Sequence, residues 1–323
     1  MKAIAIDRNG DPSVLQLHDL PVPEPKAGEA LVRIEASGVN FIDVYYRTGT
    51  YKAPQLPLVI GQEGAGVVEA VGAGVTSVKR GDRVAYAGTL GSYAEYAAVP
   101  AATLVPVPEG VALRDAAALM LQGMTAHYLV NSTFALQAGQ TALVHAGAGG
   151  VGLLLTQLAK AKGATVITTV STAEKAELSK GAGADHTIDY TGEDFAAEAR
   201  RLTNGAGVDV VYDSVGLTTW EKSLDALRPR GYFVLYGASS GQVPPFNLQL
   251  LAQKGSLFAT RPSLANYIAA PDELRSRASD LFAAVLGGAL HLRAEHTYAL
   301  ADARRAHEDL EARKTTGKLL LIP

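Results

Sequence analysis

Cysteine is absent from the 323-residue chain, which excludes disulfides and thiolate metal ligands and is compatible with a reducing compartment. Strong charge of one sign is also missing, since 29 Lys and Arg stand against 32 Asp and Glu for a net charge of −3. Such a chain has no global field to draw it toward nucleic acid or an anionic membrane, and it carries no basic stripe interleaved with aromatics. Long apolar runs are lacking. The N-terminus, MKAIAIDRNGDP, turns to charge and turn residues after Ile6, too early for a secretory signal, and no later stretch approaches a membrane span. The expectation is a cytoplasmic protein that engages neither membrane nor nucleic acid. The histidines, at positions 18, 127, 145, 186, 291, 296 and 307, form no close metal-spaced pair with another ligand, so no metal site is expected.

Glycine is what the chain has in quantity, and the informative cluster lies between Thr141 and Lys175. A short apolar run, Ala142 to His145, enters a glycine-dense turn and then a segment of helical spacing that ends near Lys162 and Gly163. A β-branched run, Thr165 to Val170, follows, so the stretch reads as a parallel βαβ unit. The turn, with Gly147, Gly149, Gly150, Val151 and Gly152, holds the G-x-G-x-x-G spacing in Gly147, Gly149 and Gly152. That spacing suits a tight turn, backbone approach to a pyrophosphate, and close helix–strand packing. A diphosphate would sit on the free N–H groups of the helix start. An NAD site usually ends the second strand with an acid, about 20 residues past the glycines, to hold the ribose 2′-OH. Here that position is Ser171, which can donate to a 2′-phosphate while Lys175 supplies charge, so NADPH is favoured over NADH. Ser171 or Thr172 can also cap the next helix, Ser171 with Glu174 as a capping box, and both roles are compatible.

The length allows two domains. Up to about residue 115, short β-type runs alternate with Gly and Pro: Lys2 to Ile6, Ala30 to Ser37, Gly66 to Val71, Arg83 to Ala87 and Tyr93 to Val99. This predicts a mostly antiparallel β domain nearly free of helix. Arg114 to Val130 reads as two short helices split by Gly123, with Asp115 as N-cap, connecting the domains. The glycine-rich unit then continues as strands and helices in alternation: Asp185–Asp189, Phe195–Leu202, Val208–Tyr212, Trp220–Leu227 and Gly231–Tyr236. That alternation predicts a doubly wound parallel sheet. Ligand contacts should lie past its strand ends, at Ser214 to Gly216 and at Gly237 to Ser240, including Ser239, as well as at the glycine turn and Ser171. A long helix, Pro271–Leu286, a strand near Thr297, a helix through Asp302–Arg313 and a strand Lys318–Ile322 form a tail with no core of its own. It is expected to return to the first domain, giving domains at 1–122 with 263–323 and at 123–262.

Gly139, Gln140, Leu143, Gly147 to Gly150, Gly152, Gln157 and Lys160 match the fingerprint of the quinone oxidoreductase and zeta-crystallin branch of the medium-chain dehydrogenases. GVNFIDVYYRTGTY, QEGAGVV, YDSVG and KGSLFATRPSL also resemble the bacterial NADPH:quinone reductases, so the similarity runs along nearly the whole chain. The resemblance implies a GroES-like β domain around a Rossmann domain, and a homodimer commonly joined through the cofactor domains. Zinc-dependent relatives need a cysteine where this chain has Asn40 and a histidine where it has Gln62. An amide replaces neither ligand. Without that Lewis acid, alcohol oxidation loses its route to a stabilised alkoxide, and hydride delivery to an already electrophilic quinone or activated alkene is what remains natural.

By the same resemblance Asn40, Tyr45 and Tyr51 should line the cleft beside the nicotinamide, the tyrosines orienting a carbonyl oxygen or packing as plugs, with Asp43 structural. On the cofactor side it adds Thr125, Tyr190, Ser214, Thr260 and Arg313, with Tyr190 stacking or bonding near the 2′-phosphate, to the strand-end residues Gly237 to Ser240 already named. The implied activity is NADPH-dependent quinone reduction. The alternatives are an NADPH-dependent alkenal or enone reductase, and a noncatalytic NADPH- or RNA-binding crystallin-like protein, the latter opposed by the negative net charge.

Overall fold

Alternating short runs between Gly and Pro build the N-terminal part as the sequence suggests: β1 (Lys2–Ile6), β2 (Gln16–Asp19), β3 (Glu29–Val39), β4 (Leu58–Val59), β5 (Glu63–Val71), β6 (Arg83–Ala87), β7 (Tyr96–Pro100) and β8 (Val105–Pro106). The computed structural model describes residues 1–323 and resolves two compact units, Met1–Met124 with Tyr267–Pro323, and Thr125–Asn266. Two helices in the N-terminal part depart from the sequence reading. The first, α1 (Phe41–Thr48), lies in the part expected to be nearly free of helix. Its N-terminus is fixed by the Asp43 carboxylate, which accepts from the Asn40 N–H at 2.8 Å, and Gly49 ends it in the left-handed conformation, φ 84. Apolar spacing missed it because its buried stripe contains Asp43 and Arg47 beside Val44. The second, α2 (Leu113–Tyr128), is one continuous helix, with Asp115 in its first turn instead of at the cap. Gly123 does not break it: a Cβ there would lie 2.7 Å from Leu119 Cδ1 and 3.3 Å from Leu281 Cδ1, so the glycine permits close packing.

The chain continues through β9 (Thr141–Val144), α3 (Gly150–Ala161), β10 (Thr165–Val170), α4 (Ala173–Gly181), β11 (His186–Asp189), α5 (Phe195–Leu202), β12 (Val208–Asp213), α6 (Trp220–Ala226), β13 (Leu227–Leu235), α7 (Gln249–Gln253), β14 (Phe258–Thr260) and α8 (Leu264–Tyr267). The six strands form one parallel sheet ordered β11-β10-β9-β12-β13-β14. Numbered from β9, that is the order 3-2-1-4-5-6, and it reverses between β9 and β12. Leu143, Ile167, Val211 and Phe233 of the strands bury against Phe195, Trp220 and Leu224 of the covering helices.

The tail, α9 (Pro271–Leu286), β15 (His296–Ala299), α10 (Ala303–Glu311) and β16 (Leu319–Ile322), joins the N-terminal sheet. There β16 pairs antiparallel with β3, Leu320 opposite Gly38, and β15 runs parallel beside β16. A buried arginine ties α10 to α1. Arg47, 1% exposed, donates to both carboxylate oxygens of Glu311 at 2.7 and 2.9 Å and to the Gly10 carbonyl at 3.1 Å. Removing only the acid leaves the buried guanidinium to the Gly10 carbonyl and His307, so with Glu311 itself 33% exposed, Glu311→Ala is expected to destabilise this unit by about 1–3 kcal/mol in urea unfolding. The double variant Arg47→Met/Glu311→Ala should recover part of that loss. Equal losses in both would show that the charge pair is not what holds the tail.

Candidate active site

The glycine turn follows β9 and opens α3. The residue with positive φ is Ala146, at 55°, so none of the three motif glycines supplies the left-handed turn. Their role is packing. A Cβ on Gly147 would lie 2.5 Å from Thr168 Cβ, and one on Gly152 would lie 2.2 Å from the Ala146 carbonyl oxygen. Gly149 is the N-cap and offers no side-chain oxygen, which leaves the first-turn N–H groups, those of Gly150 and Val151, for an anion. The cradle therefore suits a dinucleotide diphosphate.

At the end of β10 the cap is taken by Thr172, whose hydroxyl accepts from the Lys175 N–H at 3.2 Å, so the alternative Ser171–Glu174 box does not form. Ser171 keeps its hydroxyl 3.5 Å from the Lys175 Nζ. Tyr190, just past β11, donates its backbone N–H to the Val170 carbonyl at 3.2 Å, which brings it to the same strand end. Asp189, the neighbouring acid, is occupied by Thr191, whose N–H and hydroxyl it accepts at 3.0 and 2.7 Å.

On the other side of the strand-order reversal, the loops after β12 and β13 are stitched together. Ser239 N–H donates to the Ser214 carbonyl at 3.1 Å, Ser240 Oγ donates to the Val215 carbonyl at 2.8 Å, and a Cβ on Gly237 would lie 2.5 Å from Ser214 O. Thr260 is the exposed last residue of β14, and Thr125 is buried in α2. Arg313 belongs to the other unit, where it follows α10 with φ 57.

Asn40 is 4% exposed and its amide is fully engaged. Its Oδ1 accepts from Lys318 Nζ at 2.8 Å and from Gln122 Nε2 at 3.3 Å, while its Nδ2 donates to Glu63 Oε2 at 2.8 Å and to the Gly38 carbonyl at 3.3 Å. Glu63 and Lys318, 0% and 3% exposed, form an ion pair, and Glu63 Oε1 also accepts from the Leu121 N–H at 2.6 Å. Sequence reading missed this pair. Its only trace is a glutamate at the start of β5 and a lysine just before the apolar β16. Tyr45 and Tyr51 pack ring against ring at 5.2 Å, half-buried, and Tyr51 stands edge-on to Tyr46. Tyr51 therefore packs back onto α1 between Tyr45 and Tyr46.

Beneath Asn40 runs a second polar chain. Arg47 can only donate, so His307 Nδ1, 3.2 Å from Arg47 Nη1, is the acceptor and the imidazole proton sits on Nε2, 3.1 Å from Tyr93 Oη. Tyr93 donates onward to Asp43 Oδ2 at 3.0 Å. Arg47 closes the chain against proton traffic, because a guanidinium does not deprotonate. Asp43 Oδ1 and Gln122 Oε1 are buried acceptors with no partner in the chain and suit a donor such as water or a hydroxyl. No group of three or more His, Asp or Glu side chains is arranged to hold a metal ion.

A Ser, His and Asp set also occurs in the parallel sheet, all buried: His145 Nε2 is 2.9 Å from Ser223 Oγ, which donates to Asp213 Oδ2 at 3.1 Å. The serine proton points to the aspartate and the histidine gives to the serine, so the hydroxyl is not activated as a nucleophile. Acyl transfer is excluded on that geometry.

Burial pushes the Asp43 carboxyl up to about 7, against the bonds from Asn40 N–H and Tyr93 that favour its charged form. The folded state thus holds this proton more tightly than the unfolded chain. Its stabilising effect is complete below about pH 4 and is lost as pH rises through about 7. His307 opposes it: burial, then Arg47, depresses its pKa to about 3, so its contribution is lost as pH falls toward that value. Asp43→Asn isolates the first effect. Relative to wild type, this variant should gain in urea midpoint as pH rises between those two limits, and a margin independent of pH would show an ordinary carboxyl.

Residues 26–109 match the Alcohol dehydrogenase GroES-like domain, and residues 150–270 match the Zinc-binding dehydrogenase family. A quinone oxidoreductase of Pseudomonas aeruginosa is 49% identical over 323 residues, covering 100% of this chain and 99% of its own. A 2-haloacrylate reductase from a Burkholderia species is 42% identical over 328 residues, 99% of this chain and 98% of its own. The solved structure of Escherichia coli quinone oxidoreductase complexed with NADPH matches with a TM-score of 0.98 at 44% identity, covering 100% of both chains. Identity at this level along the whole length accompanies the same pair of folds, and the chain belongs to the quinone oxidoreductase family of the medium-chain dehydrogenases/reductases.

Proposed function

We propose that the protein is a zinc-free NADPH:quinone reductase, with the cofactor held by the Thr125–Asn266 unit. The observation that carries the cofactor assignment is the end of β10, where a serine stands in place of an acid and the Lys175 ammonium lies 3.5 Å from its hydroxyl. A 2′-phosphate there meets a donor, a positive charge and the start of α4, and no carboxylate on that strand end repels it. NADPH, when bound, supplies the hydride. The chain's own part is to bind the diphosphate on α3, to read the phosphate at Ser171, Lys175 and Tyr190, and to present Tyr45 and Tyr51 for placing a carbonyl oxygen. Asn40 supports this region from below, since its amide is committed to Glu63, Lys318 and Gln122. Similarity to the 2-haloacrylate reductase favours a second reading, reduction of an activated alkene. Side-by-side turnover of quinones and enones separates the two. The same reading makes the enzyme a homodimer, for which β14, an edge strand with all 3 residues exposed, leaves an unpaired strand available.

Lys175→Ala is expected to weaken NADPH binding by about 1.5–3 kcal/mol, roughly ten- to a hundredfold, and to leave NADH nearly unchanged. Ser171→Asp should invert the preference by adding a ribose acceptor and a repulsive charge together. The measurement is the ratio of kcat/KM with the two cofactors, and equal weakening of both by Lys175→Ala would remove the assignment. Tyr45→Phe and Tyr51→Phe should each lower turnover about two- to tenfold, the worth of one neutral hydrogen bond, with NADPH affinity unchanged. Unaltered rates in both variants would leave these rings with a packing role only.

A further inference from the structure

Under the strand-order reversal lies a seam of buried polar groups that hydride transfer does not use. It runs from Thr169 on β10 through His145 after β9 and Ser223 on α6 to Asp213 at the end of β12, each of them at most 1% exposed. The proton directions are fixed by elimination. Ser223 has one hydroxyl proton and gives it to Asp213, so it accepts from His145 Nε2–H. The neutral imidazole, its pKa lowered by burial, then accepts on Nδ1 from the Thr169 hydroxyl at 2.9 Å. Asp213 Oδ2 takes a further bond from the Thr219 hydroxyl at 2.7 Å, and Oδ1 takes the backbone N–H groups of Val215 and Gly216 at 2.7 and 3.0 Å.

This carboxylate therefore shapes the Ser214–Gly216 loop, and the β13 loop is bonded onto that one through Ser239 and Ser240. Both loops rise on the β12–β13 side of the reversal. Gly147 to Gly152, Ser171, Lys175 and Tyr190 lie on the β9–β10–β11 side. In a sheet of this order each half takes one nucleotide of a dinucleotide. With the phosphate-reading residues on the β10 side, the nicotinamide nucleotide falls to the half that Asp213 organises.

We propose that Asp213 and Ser223 are positioning residues for the nicotinamide half of the cofactor. They act through the Ser214–Gly216 loop and the β13 loop bonded to it, with His145 anchoring the pair to the sheet. The proposal rests on the NADPH reading above.

The test is equilibrium titration of wild type, Ser223→Ala, Asp213→Ala and Asp213→Asn with NADPH and, separately, with 2′,5′-ADP, which carries the 2′-phosphate but no nicotinamide. Ser223→Ala should weaken NADPH about three- to tenfold, as Asp213 loses one hydrogen bond that holds it in place, and Asp213→Ala about tenfold or more, as the bonds to the loop N–H groups are lost. Binding of 2′,5′-ADP should stay within about twofold of wild type, a split that general loss of structure does not produce. Asp213→Asn should restore most NADPH affinity, because its amide oxygen still accepts the Val215 and Gly216 N–H groups. If Asp213→Ala does not fold, Ser223→Ala decides by the same two titrations. Equal weakening of both ligands, or no weakening of NADPH, overturns the proposal while leaving the cofactor assignment intact. A wild-type protein that binds neither ligand removes both together.

Discussion

The ion pair between Glu63 and Lys318 joins residues 255 positions apart with both side chains out of water. Two charges in that setting are tolerated only when their remaining protons and lone pairs are also met. The requirement organises the neighbourhood. Glu63 takes the Leu121 N–H from α2 and the Asn40 amide from the start of α1, and Lys318 gives a second proton to Asn40. Gly38 is part of the same constraint, because a Cβ there would lie within 2.7 Å of the Lys318 side chain. The residue just before the C-terminal strand thereby brings a charge on which the position of the N-terminal α1, and so of Tyr45 and Tyr51, depends.

The parallel sheet solves a related problem by other means. Its glycine turn is set by contacts too short for any side chain, with Gly147 on Thr168 and Ser179 and Gly152 on the Ala146 carbonyl. Below the turn, hydroxyls of Thr168 and Ser179 meet at 2.8 Å, and the Thr169–His145–Ser223–Asp213 seam continues under the adjoining strands. Fully satisfied polar groups in a core cost little and hold one geometry, which a purely apolar packing of the same strands would specify less sharply. The loops above the seam inherit that rigidity.

Replacing cysteine and histidine by Asn40 and Gln62 also changes what the first unit can do chemically. A metal would supply a positive charge directly to a reacting oxygen, whereas here the buried ammonium of Lys318 is balanced by Glu63 and its contact with the surroundings passes through an amide. A site so built offers no Lewis acid to an unactivated oxygen and suits an acceptor that is reactive on its own. That matches hydride delivery to quinones or activated alkenes better than alcohol oxidation.

Local pattern was sufficient wherever one element announces itself. The order of strands and helices from Thr141 to Leu235, α9 in full, the glycine-rich strand–helix turn, the serine in place of an acid, and the absence of the zinc-ligand residue types were all legible in the sequence, because each depends on residues close in the chain or on residue type alone. Local pattern failed where a partner is distant. Nothing in the apolar spacing of FIDVYYRT shows a helix when its buried face includes Asp43 and Arg47, whose partners are Tyr93 and Glu311. Gly123 looked like a break because only α9, more than a hundred and fifty residues on, shows why a small residue is needed there. The commitment of Asn40 and the assembly of His145, Ser223 and Asp213 were likewise decided by tertiary structure. A buried polar group is stable only beside its complement, and hydrogen bonds between residues far apart in the chain leave no periodicity to read.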